Sequence, residues 1–123
     1  MAFKEHIPGE AELLHEYNCV QQINIYIDQN IAGNLSASVV ADKFSISIST
    51  LHYSFKKHLL QTYQQYLEKA RMNKAMEMIR QGKRIPEMMV VTGNKNRPTF
   101  YDAFKRTFQH IPATFRYDRG KDP

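Results

Sequence analysis

An all-α fold of about seven helices, arranged as two helix-turn-helix lobes joined by one long helix, is what this 123-residue sequence predicts. Three observations predict it. Apolar residues recur at three- and four-residue steps along nearly the whole chain, the period of a helix with one buried face. The only alternating stretch, Ser45-Ile46-Ser47-Ile48-Ser49, is short and runs straight into a helical pattern. Lastly, Leu51-His52-Tyr53-Ser54-Phe55-Lys56-Lys57 is echoed 49 residues later by Phe100-Tyr101-Asp102-Ala103-Phe104-Lys105-Arg106. Both segments place a large apolar residue four before a Phe, followed by two basic residues.

The elements follow in order. Leu13, Tyr17, Val20, Ile23 and Ile27 predict a first helix over roughly residues 10–29, ended by Ala32-Gly33-Asn34. Ser36 can cap a short second helix with Val39, Val40 and Phe44 inward, and Ser47 a third, to about Leu59, with Ile48, Leu51 and Phe55 on its buried stripe. Thr62 opens a long helix that stops at Gly82, with Tyr63, Tyr66, Leu67, Ala70, Ala75 and Ile79 as its inner positions. Ile85 to Val91 form a fifth helix, where Pro86 is tolerated because it falls in the first turn. Gly93 makes a turn. A sixth helix runs from about Arg97 to Phe108, burying Phe100, Ala103, Phe104 and Phe108, and Pro112 opens a last helical turn ending near Tyr117. The implied boundaries are an N-terminal extension at 1–24, a first lobe at 25–61, a connecting helix at 62–82, a second lobe at 83–117 and a tail at 118–123.

Charge is unevenly placed. Residues 1–54 carry two lysines against six acids, a net of −4, and residues 55–123 carry fifteen basic residues against six acids, a net of +9. A basic later half fits a polyanionic partner, although a solvated basic surface is the plain alternative. No apolar run approaches the ~20 residues that span a bilayer. The start shows no signal-peptide core, and the single Cys19 allows no internal disulfide, so a cytoplasmic location is expected. The five histidines have no second His or Cys at ligand spacing on the same face, so no metal or other cofactor is expected. There is no phosphate loop, nucleophile elbow or catalytic acid pair, and no enzymatic activity is expected. Most of the methionines between Met72 and Met89 read as gap-filling core residues, and Cys19 as buried and inert.

Two short helices around a tight turn place the second in the major groove of DNA. With Leu51 and Phe55 inward, Ser49, His52, Tyr53 and Lys56 share the opposite face of the third helix, and Lys57 lies toward its end. The corresponding positions of the sixth are Pro98, Tyr101, Asp102 and Lys105. The candidate contacts to double-stranded DNA are therefore Ser49, Thr50, His52, Tyr53, Lys56, Lys57, Arg97, Thr99, Tyr101, Asp102, Lys105 and Arg106. Ser, His and Tyr suit base edges or phosphates, and the basic pairs suit phosphates. A connector over 62–81 would span about 30 Å, near the ~34 Å between successive major-groove segments on one face of DNA.

Taken in order, Leu35 through Ala41, Ser47-x-x-x-Leu51-x-x-x-Phe55-Lys56-Lys57, Tyr66, Arg71-x-x-x-Ala75, Ile85-x-Glu87, Gly93, Phe100-x-x-x-Phe104-Lys105-Arg106 and Pro112-x-x-Phe115-Arg116 resemble the DNA-binding domain of the AraC family. The resemblance covers about Ile25 to Arg116. It implies homeodomain-like units in two lobes, a bacterial transcription regulator that binds a promoter or operator, no enzymatic activity, and RNA polymerase as a second partner. Arg71 matches a family position, but on the long helix it reads as a structural hydrogen-bonding residue rather than a reader. No ligand pocket is expected in this chain, since residues 1–24 are too few to hold one.

The departures from the family carry expectations too. Glycine is usual at the positions of Ser45, Leu60 and Gln109, alanine at Met89 and an aromatic at Asn94. Met89 is expected to push the second lobe's two helices apart. Asp102 stands where arginine is common, and Pro98 has no polar side chain, so the first lobe is the better reader. The alternative function is a helix-turn-helix scaffold acting as a protein-interaction module with weak or non-specific DNA binding.

Overall fold

A computed structural model describes residues 9–115. Six helices follow one another: α1 Glu10–Gln29, α2 Ala37–Lys43, α3 Ile48–Leu59, α4 Tyr63–Arg80, α5 Ile85–Thr92 and α6 Arg97–Phe108. A further helical turn covers 112–115, and no strand occurs among the described residues. The expected end of that turn near Tyr117, Arg116, and the tail at 118–123 lie outside the described residues.

Local chemistry sets the starts. Ser36 accepts the Val39 N–H, Ser47 the Thr50 N–H and Asn96 the Thr99 N–H, so each of these helices has an amide satisfied by its cap. Thr62 and Gln65 form a reciprocal box at the head of α4: the threonine hydroxyl accepts the Gln65 N–H at 3.0 Å, and the glutamine side chain accepts the Thr62 N–H at 2.9 Å.

Two cores flank α4. Ile23, Ile27, Leu35, Val40, Ala41, Leu51, Phe55, Tyr63 and Leu67 form the first. Met72, Ala75, Met76, Met78, Ile79, Met88, Phe100, Ala103 and Phe104 form the second. The front of α4 thus belongs to one lobe and its rear to the other, and Tyr66 and Ala70 are half-buried against the first core. The first core holds one buried polar link: the Tyr63 hydroxyl donates to the Leu35 carbonyl at 2.7 Å. Burial pushes the Tyr63 phenol up to about 12. The second core is filled by methionines and a chain of rings in which Phe104 lies 4.8 Å from Phe108 and 5.9 Å from Phe115. Unbranched thioethers can fill the irregular space beside such rings.

Several expected inward residues face out. Val39 is 38% exposed and Ile48 45%, because each lies on the rim of its helix beyond the reach of the first core. Leu13 and Tyr17 are also exposed, since the front of α1 extends past the surface that buries Val20, Ile23 and Ile27. Cys19 is half-buried at the edge of the first core rather than fully enclosed. Met89 is partly buried against the second core, between Met88, which is fully enclosed, and Val90, which is 74% exposed.

Arg71 ties the connecting helix to the first lobe. Its Nε donates to the Ile31 carbonyl at 3.0 Å and its Nη2 to the Gly33 carbonyl at 2.8 Å, tying α4 to the loop after α1. The remaining nitrogen of the same guanidinium faces the turn of the second lobe, 3.4 Å from where a Cβ on Gly93 would stand.

Candidate nucleic-acid interface

The turn between α2 and α3 closes α2 with paired hydrogen bonds, Ser45 N–H to Asp42 O at 3.1 Å and Ile46 N–H to Ala41 O at 3.0 Å. This places Ser45 at φ 57°, the left-handed region, where a side chain is strained. The corresponding turn between α5 and α6 uses Gly93 N–H to Val90 O and Asn94 N–H to Met89 O, with φ 73° at Gly93. Leu60 and Gln109 end α3 and α6, again at positive φ, 57° and 62°. The three non-glycine residues at positive φ among the described residues are thus the three positions at which the family resemblance leads one to expect glycine.

On α3, Leu51 and Phe55 are fully buried and Ser49, His52, Tyr53 and Lys56 are exposed, as the echo required. His52 rests edge-on to the Tyr63 ring, 6.4 Å between centroids. Tyr53 is 60% exposed, and the Lys57 ammonium sits 5.5 Å from its ring centroid. Thr50 is exposed but drawn into the cap, its hydroxyl accepting from Ser47 Oγ at 2.8 Å. On α6, Phe100 and Phe104 are buried, while Arg97, Pro98, Thr99, Asp102, Lys105 and Arg106 are exposed. Tyr101 is half-buried and packs edge-on against Phe100 at 5.9 Å, so it offers less free surface than Tyr53.

The second basic residue of each outward helix is held by a carboxylate. Lys57 Nζ donates to Glu16 Oε1 of α1 at 2.9 Å, and His58 Nε2 lies 3.3 Å from the same oxygen. The Lys57 hydrogen bond, and after it that of His58, draws the Glu16 carboxyl below the ordinary carboxylate range, and the Glu16 bond in turn raises Lys57. In the second lobe Arg106 makes a two-pronged contact with Glu68 of α4, Nε to Oε2 at 3.1 Å and Nη2 to Oε1 at 2.6 Å, and this bond raises the guanidinium pKa. Sequence reasoning missed both acids, because no local spacing links residues 41 and 38 positions apart.

No described helix is long and apolar enough to cross a membrane. No group of three His, Cys, Asp or Glu residues that could hold a metal ion occurs among the described residues.

A family model described as a helix-turn-helix domain matches residues 40–118. Among curated proteins, the HTH-type transcriptional activator RhaS of Enterobacter sp. (strain 638) is 30% identical over 101 residues, covering 81% of this chain and 36% of its own length. RhaS of Salmonella arizonae is 29% identical over 105 residues, with 85% and 38% covered. The chain therefore spans little more than a third of these relatives. Among solved structures, an AraC-type transcriptional regulator from Chromobacterium violaceum superposes with a TM-score of 0.80 at 22% identity, covering 89% of this chain and 99% of that one. The C-terminal domain of AraT, a response regulator from Geobacillus stearothermophilus, gives 0.75 at 25% identity, covering 81% and 84%.

Proposed function

The chain belongs to the AraC-type helix-turn-helix family, and from that premise we propose that it binds double-stranded DNA in a sequence-specific manner as a transcription regulator. The observation that carries this reading is the repeated outward face. α3 and α6 each bury the same two echo positions, expose the positions of Tyr53 and Asp102 and of Lys56 and Lys105, and stand on either side of a single 18-residue helix. That helix is about 27 Å long, a spacing suited to two major-groove segments on one side of a duplex. In this reading the first lobe spans 25–61, the connector 62–82 and the second lobe 83–117; the first core also takes in Ile23, with Cys19 packed against it, and Glu16 pairs with Lys57.

In this reading His52 and Tyr53 contact base edges, with Ser49 at the head of α3 beside them. Lys56 and Lys105 contact phosphates, and Arg97, Thr99 and Thr50 border the backbone near the heads of the two helices. Tyr101 and Asp102 occupy the reading positions of the second lobe, where an acid opposes phosphate and a half-buried ring reaches less far. The activity is non-catalytic. A cytoplasmic location and contact with RNA polymerase accompany the reading as further expectations.

The test is selection of bound sequences from a random duplex library, followed by footprinting. Engagement of both lobes protects an asymmetric site of about 20 bp. Protection of one turn restricts the contact to one lobe, and failure to enrich any sequence refutes sequence-specific binding.

A further inference from the structure

Resting on this DNA-binding reading, we infer that Glu16 and Glu68 are built-in phosphate mimics: each occupies the second cation of an outward helix and so lowers the chain's general attraction for nucleic acid. The two carboxylates come from different helices, α1 and α4, yet they reach equivalent places. Lys57 and Arg106 are the same residue of the 49-residue echo, and each is met at hydrogen-bond distance, 2.9 Å for Lys57 and 2.6 Å at the shorter prong for Arg106. The first cation of each pair, Lys56 or Lys105, is exposed.

The chemistry at the two sites suits the comparison with phosphate. Glu68 presents both oxygens to one edge of a guanidinium, the geometry in which arginine also holds a phosphate. Asp102 lies one turn before Arg106 on α6 and adds a second negative charge that favours the charged guanidinium. Glu16 collects both Lys57 and His58 on one oxygen, and Tyr17 packs against the His58 ring at 6.2 Å, which keeps that ring beside the carboxylate. All four paired groups keep between 27% and 61% of their side-chain surface exposed, so a duplex can approach them. In a loose complex with random DNA, Lys57 and Arg106 stay with their carboxylates and release no counterions. Attraction then falls to the remaining cations, and the docked site depends more on the reading face.

The experiment titrates the full chain against a labelled random-sequence duplex over a range of salt concentrations. Glu16→Gln and Glu68→Gln keep side-chain size and remove the charge. Each is expected to tighten binding roughly two- to fivefold near 0.1 M salt, on the scale of an exposed ion pair. Each should also steepen the log–log salt slope by about 0.9, because one more phosphate is neutralised by the freed cation. Most of the tightening by Glu16→Gln should vanish in a Lys57→Ala background. Glu77→Gln is the control, since Glu77 pairs with Lys74 within α4 at 3.3 Å rather than with a basic residue of α3 or α6. Glu16→Ala and Glu68→Ala form a second set should either glutamine variant unfold. Equal tightening by Glu77→Gln would reduce the effect to bulk charge and overturn the inference. Weaker binding by the variants would make the acids supports for their cations, with the same consequence. Salt-dependent binding by wild type with unchanged variants overturns the inference alone, whereas no binding of any duplex overturns the DNA reading with it.

Discussion

Ser45 carries the turn of the first lobe at φ 57°, and Gly93 carries the turn of the second at φ 73°. From there the lobes run in parallel: a capped outward helix, two buried anchors, a basic pair, and a left-handed end at Leu60 or Gln109. They diverge in core and in face. The first core is aliphatic and aromatic, with one buried hydroxyl donating to a backbone carbonyl, and its outward helix presents His52 and a largely free Tyr53. The second core is mostly methionine and phenylalanine, with Ile79 and two alanines, and its outward helix presents Pro98, Asp102 and a Tyr101 that leans on Phe100. The difference teaches that one backbone plan can be filled by unlike cores, and that repeating the plan does not repeat the chemistry it displays.

The largest expected effect probes the cores. Phe104→Ala should destabilise by about 3–5 kcal/mol and Leu51→Ala by about 2–5 kcal/mol, since both side chains are fully buried. Urea unfolding checks this, and Phe104→Ala is expected to cost more because the rings of Phe100, Phe108 and Phe115 all pack against Phe104. Near-native stability of either variant would break the assignment of that helix's inner face.

Arg71→Ala tests how firmly one side chain ties α4 to the loop after α1. It removes two charge-assisted hydrogen bonds to the Ile31 and Gly33 carbonyls and should cost about 1.5–3 kcal/mol. Arg71→Lys should recover little, because an ammonium cannot span both carbonyls in the guanidinium's fixed fork.

The faces are compared by binding. His52→Ala and Tyr53→Ala each remove a side chain placed to read a base edge. Each should lower the preference for the selected site over scrambled DNA by about 1–3 kcal/mol. Tyr101→Ala should lower it less. A larger fall from Tyr101→Ala would reverse the ranking of the lobes.

Tyr63→Phe should cost about 1 kcal/mol near neutral pH, as the Leu35 carbonyl is left without its donor. The wild-type phenol also has a pH signature. Its folded pKa, about 12, lies above the ordinary 10, so the neutral native form is favoured. That contribution is fully present below pH 10 and is lost as pH rises from 10 toward 12. Alkaline unfolding of Tyr63→Phe should lack this loss.

The smallest effects concern the backbone. Ser45→Gly, Leu60→Gly and Gln109→Gly should each stabilise by about 0.5–1 kcal/mol, the left-handed strain relieved less the freedom that a glycine gives up on folding. Thermal melts of the three variants would show whether the first turn, unlike the second, carries strain that glycine removes.

What the sequence determined by itself was whatever depends on neighbours within a turn or two. Ser36, Ser47 and Thr62 begin helices because a side-chain oxygen three residues back reaches a free amide. Leu51, Phe55, Phe100 and Phe104 are buried because helical spacing puts each pair on one face. The same spacing placed His52, Tyr53 and Lys56 outward. Only the tertiary structure decided how wide each buried stripe is, leaving Val39 and Ile48 outside it, since periodicity gives the direction of a side chain and not the reach of the surface that meets it. It alone brought Glu16 to Lys57, Glu68 to Arg106, and Arg71 to the Ile31 and Gly33 carbonyls. Those partners lie 38 to 41 residues apart, and what joins them is the way separate helices pack, which no local pattern encodes.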